Sequence, residues 1–567
     1  MLACSPGAGQ WPWPWRAAPI VLLALFAGLS FQEMRDDSLT ADERVHLPAG
    51  YSYWRTGDFR LNPEHPPLIK LLCALPLLPL DLTLPPLEPP SGTTPHVYQP
   101  AFGSAFLFDQ SVGADRLLLR GRLPVLGLGL LLGIAIFAWS SRLHGDRRAG
   151  LLSLLLFALE PTILAHSHYV TTDVGVAVFA TLAFYLLWRF RSAANLTHLM
   201  MATAAMGLTL AAKFSAVVLL PIFLGLIVLR WPDGAPTWRG SPIGGGRRLR
   251  LLALPAALLA VALIVQGSYF FSSDLSLYAR GIRAVQANHP ADYPAYLHGR
   301  FYIGGVFWYP LYAFLLKTPL PTLAIMALGI GRWIVRLRRR DEAARELLPF
   351  VVLPAAALTA ATCLLADNYG VRYLIPVTAL LLIPAGGALE LLRRQPFGRA
   401  AGVGLGLWLL ASVLGNAPHH LSYFNELIGR QERAAFYLHD SNVDWGQDLK
   451  RLARYQRAQG IDVMTLAYWG PTRPEHYGIR YRPWSRPEAT ADRPPPGVYA
   501  ISVNHLVDLE KRVLLAGDDP NLDWLHRFRP QARVGGSIFV YRFPRETPGR
   551  STTPGSPRNL PDRRPDR

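Results

Sequence analysis

Cysteine is scarce in this sequence, which has only Cys4, Cys73 and Cys363 among its 567 residues. The last two lie within apolar runs, and no two cysteines have the C-x-x-C spacing of zinc sites and thiol redox centres. The sequence therefore predicts neither a disulfide framework nor a cysteine metal site. It also lacks a convincing internal repeat.

Acidic residues are few relative to basic ones: 39 Asp and Glu against 57 Lys and Arg give a net charge of +18. In a soluble chain that excess would suggest nucleic acid as a partner. Here many of the basic residues flank apolar runs, where they act as topology determinants of membrane proteins. Apolar residues make up 51% of the chain, and the mean hydropathy is +0.19. We therefore predict a polytopic membrane protein that binds no nucleic acid.

The first apolar run, residues 17–31, follows a tryptophan-rich segment that ends in Arg16. This pattern predicts a first spanning helix with a cytoplasmic N-terminus at 1–16. A cleaved signal peptide is the alternative, although no small-x-small cleavage site follows the run. Ten further candidate spans bring the total to about eleven. They are 123–140, 149–165, 174–190, 197–211, 214–230, 250–270, 311–334, 347–365, 373–392 and 399–415.

The connections between these spans differ in composition on the two sides of the membrane. The five connections predicted to lie inside are all rich in arginine, as the positive-inside rule requires. The opposite connections hold most of the unusual polar residues, and the longest of them is a first external loop over 32–121. Within that loop, residues 68–80 form an apolar run broken by Lys70, Pro76 and Pro79, and they predict an interfacial or re-entrant helix. We therefore expect the chemistry on the external face of a bacterial inner membrane.

The composition changes again after the last span. Residues 17–415 form the predicted membrane domain, and residues 416–545 predict a small external α/β domain. Its signals are β-rich stretches at 463–468, 498–503 and 537–543, and a helical pattern at 447–457. Residues 546–567 lack apolar side chains and predict a disordered tail. The predicted fold class is mainly α, a polytopic transmembrane helix bundle with a small C-terminal α/β domain.

The first external loop carries Asp42 and Glu43 where the chain has just left the membrane. A carboxylate there can deprotonate a hydroxyl nucleophile that lies within hydrogen-bond reach. The alternative is a capping box that starts at Thr40, in which Glu43 only bonds the backbone. Further along, prolines on both sides would hold Glu64 and His65 rigidly as metal ligands or hydrogen-bonding groups, unless this part of the loop only tucks against the membrane.

Two further external segments carry ionisable residues. His166, His168 and Asp173 lie in a short corner between two spans, and ionisable residues at span ends tend to mark sites. Asp173 would equally suit a helix cap. Four cations are predicted to lie on the external side, against the positive-inside bias: Lys213, Arg280, Arg283 and Arg372. Binding of an anionic phosphate headgroup would explain their position. Snorkelling to interfacial lipid is the alternative.

The segment after the last span contains Asp444 and Trp445. An aromatic ring flanked by acids and amides suits sugar binding. A loop-to-helix junction, with Asp444 as the cap, is the alternative.

In this order, the segments resemble those of the polyprenyl-phosphate-dependent glycosyltransferases of the GT-C fold, which include the protein O-mannosyltransferases and the aminoarabinose transferase of lipid A. The resemblance covers about residues 17–450. It rests on Asp42-Glu43, Gly57-Asp58, 62–67, 166–173, 212–215, 369–373 with Pro376, and 440–449. The chain differs from the protein mannosyltransferases in having no β-trefoil insertion in an external loop.

The resemblance implies transfer of one hexose or pentose from a polyprenyl-phosphate donor to an acceptor hydroxyl on the external face, with inversion. It implies Asp42 as general base and Glu43 as its helper. Lys213 and Arg372, with Arg283, would hold the lipid phosphate. Substrate-binding residues would come from the other external segments: Asp58, Glu64, His65, His166, His168, Asp173, Tyr369, Asp444 and Trp445.

Several alternatives stay open. The acceptor is a lipid, a polysaccharide or a protein, and the other expected partners are membrane lipids. A divalent cation held by the acidic pair with histidines is open, although we expect no metal, because lysine and arginine can stabilise the leaving phosphate. The alternative functions are a transporter or flippase of a lipid-linked sugar and a non-catalytic scaffold of envelope assembly.

Overall fold

The computed structural model describes residues 13–238, 240–243, 246–287, 292–365, 367–394 and 396–544. The chain divides into two compact units. The first comprises residues up to Gln447 together with Gly470–Thr472, and the second comprises Asp448–Trp469 and the chain from Arg473 onward. The predicted domain over 416–545 therefore begins earlier in the chain than the second unit does.

The first unit is helical apart from two short hairpins. Its helices are α1 (Trp13–Asp36), α2 (Glu43–Thr56), α3 (Leu68–Ala74), α4 (Pro95–Phe108), α5 (Ala114–His144), α6 (Arg147–Ala158), α7 (Pro161–His166), α8 (Asp173–Ala193), α9 (Leu196–Ala212), α10 (Leu219–Leu229), α11 (Gly246–Ser268), α12 (Leu277–Ala287), α13 (Tyr309–Lys317), α14 (Leu320–Arg338), α15 (Glu342–Leu347), α16 (Leu353–Leu365), α17 (Ile375–Ala385), α18 (Ala388–Arg394), α19 (Pro396–Leu414) and α20 (Ala434–Tyr437). The antiparallel hairpins are β1 (Thr237–Trp238) with β2 (Ser241–Pro242), and β3 (Pro294–Leu297) with β4 (Arg300–Ile303).

Local sequence explains several of the helix ends. Gly57 and Gly145 follow α2 and α5 with φ of 69° and 63°, a left-handed conformation that glycine adopts without a steric penalty. The side chain of Asp146 accepts a hydrogen bond from the backbone N–H of Arg148 at the start of α6. Sharp stops of this kind let consecutive helices reverse direction and pack side by side.

Eight helical stretches among the described residues are long and apolar enough to cross a membrane. They are Arg16–Asp36, Ala114–His144, Asp173–Ala193, Arg248–Ser268, Leu320–Arg338, Ala344–Leu365, Val371–Arg394 and Pro396–Leu414. Three shorter apolar stretches, Leu68–Leu77, Leu196–Ala212 and Phe214–Leu229, accompany them. The prediction of a mainly α, polytopic bundle is confirmed, whereas the count of about eleven spans stays a prediction.

Three predicted spans are interrupted in the described structure, one of them being 373–392, which is divided between α17 and α18. The run predicted at 149–165 is divided between α6 and α7, because Glu160 caps a new helix that begins at Pro161. The run predicted at 311–334 is divided between α13 and α14, and Pro319 separates them. The chain between α1 and α5 runs from residue 37 to residue 113, within the bounds 32–121 of the predicted external loop, and those bounds stay a prediction.

The second unit is a small α/β fold, as predicted. Its helices are α21 (Leu449–Ala458), α22 (Arg486–Thr490), α23 (Val503–Ala516) and α24 (Trp524–Arg527), and its strands are β5 (Met464–Ala467), β6 (Tyr481–Pro483), β7 (Gly497–Ser502), β8 (Ala532–Val534) and β9 (Ile538–Phe543). The sheet order is β6-β5-β7-β9-β8, with β5 parallel to β6 and β7, and β9 antiparallel to both neighbours. The predicted tail at 546–567 lies outside the described residues.

Candidate active site

Four charged side chains of the first unit meet at one end of the membrane helices. Arg372 Nη1 lies 2.6 Å from Asp42 Oδ2 and 3.8 Å from Asp173 Oδ2. Lys213 Nζ lies 2.5 Å from Asp173 Oδ1. We call Asp42, Asp173, Lys213 and Arg372 the ionic cluster; the sequence predicted all four as site residues. Their charges alternate in space, so the two cations are held close together without unbalanced repulsion.

Each member of the ionic cluster lies where a helix starts or stops. Asp42 immediately precedes α2, and Asp173 is the first residue of α8. Lys213 follows α9 in an extended conformation, and Arg372 lies in the short 3-10 turn that leads into α17. Helix ends place the charged groups at the same level, while the apolar helix bodies remain available for burial.

Two aromatic rings flank the cations. Lys213 Nζ lies 4.6 Å from the centre of the Tyr373 ring, and the guanidinium carbon of Arg372 lies 4.4 Å from that of Trp445. Distances below about 6 Å allow a cation–π attraction, which is stronger where water is excluded. Trp445 is only 2% exposed, so its contact with Arg372 is buried. It also stands against His166, whose ring centre is 5.5 Å away.

The segment that carries Trp445 is joined to the loop that carries Asp42. The backbone N–H of Ser38 donates to the Gln447 carbonyl at 2.9 Å, and the N–H of Ala41 donates to the Trp445 carbonyl at 3.2 Å. Asp444 is fully buried, and its Oδ1 accepts from the backbone N–H of Gly446. Trp445 thus belongs to the wall of the site, whereas Asp444 supports the turn that presents it.

The ionisation of Asp42 reflects its surroundings. Burial raises the pKa of Asp42, but the charges of Arg372 and His46, together with the hydrogen bond from Arg372, outweigh burial and leave the pKa below its ordinary value. His65 and His46 lie beside the cluster with ring centres 5.1 Å apart. Burial lowers the pKa of His65 far below its usual range, and the charges of His46 and Lys213 add to that effect. At neutral pH we therefore expect a charged Asp42 and a neutral His65.

Glu43 has a different environment from Asp42. Its carboxylate is completely buried and accepts hydrogen bonds from Arg122 Nε and Nη2 at 2.7 and 2.6 Å, and from the N–H groups of Thr40 and Val170. These contacts leave neither oxygen open to a substrate. The structure therefore favours a structural role for Glu43 over the predicted catalytic one. Arg122 was not predicted, although an arginine inside the apolar stretch Ala114–His144 was a usable signal.

The predicted residues Asp58 and Glu64 form separate contacts in the loop region between α1 and α5. Asp58 pairs with Arg60 at 2.7 Å; the arginine side chain is exposed and the aspartate side chain is half-buried. Glu64 accepts hydrogen bonds from Asn62 and Gln99 at 2.8 and 2.9 Å. These contacts are internal to the loop, and neither carboxylate pairs with a cation of the ionic cluster.

Lys70 stabilises the same loop through buried hydrogen bonds. Its Nζ donates to the carbonyls of Asn62 and His65 at 2.6 and 2.8 Å, and the residue is only 1% exposed. Lys70, which interrupts the apolar run 68–80 in the sequence, is therefore buried and stabilises the backbone around Glu64.

The remaining predicted residues are spread around the cluster. His168 lies against Asp37, with 3.1 Å between Nε2 and Oδ2. The ring of Tyr369 packs edge-on against Tyr293 at 4.9 Å between ring centres. Arg283 is exposed on α12 and takes part in none of the ion pairs of the cluster. Of the predicted phosphate-binding cations, the structure thus brings together Lys213 and Arg372 but not Arg283.

Asp440 is a further carboxylate of this region; it lies in the segment 440–449 on which the resemblance rests, but it was not among the predicted site residues. It has a φ of 54°, unusual for a residue with a side chain, and its Oδ1 accepts from the backbone N–H of Ser441 at 2.5 Å. Burial raises the pKa of Asp440 to about 6, although the charge of Arg372 acts in the opposite direction. The charge of Asp42 is close enough to contribute to the same rise.

The turn that carries Asp440 is held firmly against the segment of Arg372. Ser441 Oγ donates to the Tyr369 carbonyl at 2.7 Å, and the N–H of Val371 donates to Asn442 Oδ1 at 3.0 Å. Gly370 is a close-contact point, because a Cβ there would lie 2.3 Å from Ser441 Oγ. The two segments are therefore closely packed and hydrogen-bonded to each other.

Metal binding was left open by the sequence. In the part of the chain that the structure describes, no three His, Cys, Asp or Glu side chains are grouped so that they could hold a metal ion. The charges that the described site offers to an anionic substrate are those of Lys213 and Arg372.

Fold and site together define a class, a polytopic membrane protein with a mixed ionic cluster at one end of its helix bundle. Within that class, the model of the dolichyl-phosphate-mannose-protein mannosyltransferase family matches residues 115–244. The match covers less than half of the chain, and over this segment it confirms the resemblance seen in the sequence. A search of curated proteins found no match.

Solved structures give matches of low similarity along most of the chain. ArnT from Cupriavidus metallidurans in the apo state is 14% identical, with 92% of this chain and 97% of that chain covered and a TM-score of 0.47. AglB, the oligosaccharyltransferase of Archaeoglobus fulgidus, in complex with an inhibitory peptide and a dolichol-phosphate, is 11% identical, with 94% and 75% covered and a TM-score of 0.44. The S. cerevisiae Pmt1-Pmt2 complex bound to the sugar donor is 17% identical, with 51% and 39% covered and a TM-score of 0.29.

Proposed function

We propose that this protein is a membrane glycosyltransferase that moves one sugar from a polyprenyl-phosphate donor to an acceptor hydroxyl. The observation that carries the proposal is the ionic cluster, in which Arg372 pairs with Asp42 and Lys213 pairs with Asp173 at the ends of membrane helices. A lipid-linked substrate reaches such a site from the bilayer, with its phosphate at the level of the headgroups. The family match over residues 115–244 supports the same class of reaction.

Arg372 and Lys213 are the proposed holders of the donor phosphate. A guanidinium offers a planar pair of donors that matches two phosphate oxygens, and an ammonium adds a compact charge. The Nε–H of Arg372 has no acceptor among the residues that the structure describes, so the group retains capacity for an incoming anion. Both cations would stabilise the charge that grows on the phosphate as the sugar leaves.

Asp42 is the proposed general base. Its carboxylate takes the proton of the acceptor hydroxyl while the acceptor oxygen bonds to the anomeric carbon. The bond between that carbon and the phosphate oxygen breaks in the same step, which inverts the configuration and releases polyprenyl phosphate. A donor phosphate that binds Arg372 also competes with Asp42 for the guanidinium. Donor binding would therefore raise the pKa of Asp42 towards the range that suits a base.

The acceptor is proposed to approach along the side of Trp445, Tyr369 and Asp440. Aromatic faces pack against the C–H groups of a sugar, and a carboxylate accepts hydrogen bonds from its hydroxyls. The class of acceptor, whether lipid, polysaccharide or protein, is left to experiment. We propose that this side faces the exterior of a bacterial inner membrane, because the arginine-rich connections lie at the opposite helix ends.

The test is donor consumption by the purified protein in lipid. A panel of polyprenyl-phosphate sugars is supplied with mixed acceptors, and free polyprenyl phosphate is measured by mass spectrometry. Release by the wild type, but not by Asp42→Asn, is the expected result. Equal release by both would exclude Asp42 as the base. No release with any donor would argue against transfer and favour a transporter or a scaffold.

A further inference from the structure

An apolar groove lies on the surface of the first unit, far from the ionic cluster. It has a volume of about 590 Å³ and lies between α1, α6 and α18. Leucines of α6 and side chains of α1 form its walls, among them Val21, Leu22, Leu152 and Leu155. Two arginines, Arg148 and Arg393, are its only charged lining residues.

The two arginines lie at one end of the groove and of the membrane helices. Arg148 is the second residue of α6, and Arg393 is the last but one of α18. Leu155 lies seven residues after Arg148, about 10 Å along the helix at 1.5 Å per residue. The groove thus runs from a charged mouth into the apolar zone, over about a third of a hydrocarbon core that is about 30 Å thick.

This mouth is at the opposite end of the bundle from the ionic cluster. Arg372 and Arg393 lie near the two ends of the stretch Val371–Arg394, whose 24 residues correspond to about 35 Å of helix. The groove therefore opens to the other leaflet from that of the proposed active site. It cannot be part of the binding site for the reacting end of the donor.

Charge and shape together favour one kind of occupant. Basic pockets between transmembrane helices bind the headgroups of anionic lipids, and arginine binds phosphate oxygens in pairs. The present partner of Arg393 is Asp146, at 3.4 Å, and both side chains are more than 40% exposed. Exposed pairs of this kind contribute little to stability, so a phosphate can replace the carboxylate at small cost.

We propose that this groove binds one anionic phospholipid, with an acyl chain along Leu152 and Leu155 and its phosphate between Arg148 and Arg393. A zwitterionic lipid offers the same phosphate, but its own cation is repelled by the arginines that surround the mouth. The lipid would also hold α1 in place, since only 22% of the apolar window of that helix is buried inside the protein. The site is independent of the sugar transfer proposed above.

The structure provides a matched control for the test. Arg147 and Arg394 are the immediate sequence neighbours of the two mouth arginines, but they do not line the groove. The double variant Arg148→Gln/Arg393→Gln and the double variant Arg147→Gln/Arg394→Gln therefore remove the same charge from the same surface. Leu152→Trp leaves the charges unchanged and fills the groove.

The experiment is native mass spectrometry of the full chain with phosphatidylglycerol or phosphatidylcholine added in detergent. The wild type and the neighbour control should each retain one phosphatidylglycerol in preference to phosphatidylcholine. The mouth variant should bind phosphatidylglycerol about 30-fold more weakly, with about 5-fold from each arginine. Leu152→Trp should lose the bound lipid with no change of charge.

Three results would overturn the proposal. The first is equal loss in the mouth variant and in the neighbour control, which would indicate a diffuse basic belt. The second is retention of phosphatidylcholine as tightly as phosphatidylglycerol. The third is displacement of phosphatidylglycerol by equimolar undecaprenyl phosphate, which would make the groove a carrier-lipid site. If the arginine variants do not fold, Leu152→Trp decides by the same measurement.

Discussion

Arg372 and Asp42 are 330 positions apart in the chain, yet Nη1 of the arginine lies 2.6 Å from Oδ2 of the aspartate. The pair joins the chain between α1 and α2 to the start of α17. Its side chains are 11% and 25% exposed, so it is sheltered but remains accessible from the site. A phosphate that reaches Arg372 must therefore come close to Asp42 as well.

Replacement of Asp42 tests the base directly. Asp42→Asn should lower the transfer rate by about 100- to 10,000-fold, the usual contribution of general acid–base catalysis. The amide keeps the size of the side chain, so membrane insertion and thermal stability should change little. The measurement is release of polyprenyl phosphate. Asp58→Asn is the control, since that carboxylate lies in the same loop and pairs with Arg60. A residual rate near that of the wild type would remove Asp42 from the mechanism.

The two cations of the ionic cluster should act on the donor. Lys213→Met should raise the donor KM about 10- to 100-fold, because a hydrogen bond to a charged group is worth about 1.5–3 kcal/mol. Arg372→Lys keeps the charge but loses the planar pair of donors, so we expect it to weaken donor binding as well. Both effects are read from the rate as a function of donor concentration.

Arg283 provides the control for the cations, because it is exposed on α12 and outside the cluster. Arg283→Gln should leave the donor KM unchanged. If it raised the KM as strongly as Lys213→Met, the phosphate site would extend to α12, as the sequence alone had suggested.

Glu43 should affect stability before it affects catalysis. Glu43→Gln leaves the charge of the buried Arg122 without its partner, which typically costs about 3–5 kcal/mol. The expected result is a clear fall in the thermal unfolding temperature in detergent. The double variant Glu43→Leu/Arg122→Met should recover most of that loss, since no unpaired charge remains. An inactive Glu43→Gln protein of normal stability would instead support the catalytic role.

The sequence singled out all four residues of the ionic cluster for physical reasons, and the structure brings them together; their roles in transfer stay predictions. Lys213 and Arg372 stood out because cations on the external side oppose the usual charge bias, and Asp42 stood out at a membrane exit. Each of these signals is local. The polytopic bundle and the small α/β unit were likewise predicted from local apolar runs and alternation, and the structure agrees.

The missed features depend on contacts between distant segments. Arg122 and Glu43 are 79 positions apart, and no local pattern indicates that one neutralises the other. Lys70 looked like a break in an apolar run, yet it is a buried clamp on the loop around Glu64. Asp440 enters the site only because Ser441 and Asn442 are bonded to residues 369–371.

Asp440 should show opposite effects on stability and on activity. Its pKa is raised to about 6 in the folded protein, whereas an unfolded aspartate has a pKa of about 3.9. Between these values the folded state binds more protons, so this group's contribution to stability falls as the pH rises from about 4 to 6. Above pH 6 the charged carboxylate lowers the free energy of unfolding, as is common for functional groups.

Asp440→Asn removes this destabilising charge and keeps the shape of the side chain. Asparagine also tolerates a positive φ well. The variant should therefore unfold at a higher temperature than the wild type at pH 7.5 and at about the same temperature at pH 4. Its transfer rate should be lower at pH 7.5. We expect the wild-type rate to fall below pH 6, where the carboxylate takes a proton, and the variant should lose that fall.

The charged and titratable neighbours of Asp440 also contribute to that pH profile. Arg372 and Asp42 face it across the site, together with Tyr293, Tyr309, Tyr369 and Tyr373. The control is Ser441→Ala, which loosens the same turn but leaves the carboxylate in place. If Ser441→Ala abolishes the fall in rate below pH 6 as Asp440→Asn does, that fall depends on the conformation of the turn. If only Asp440→Asn does so, the fall in rate depends on the protonation of the carboxylate, and Asp440 belongs to the acceptor side of the site.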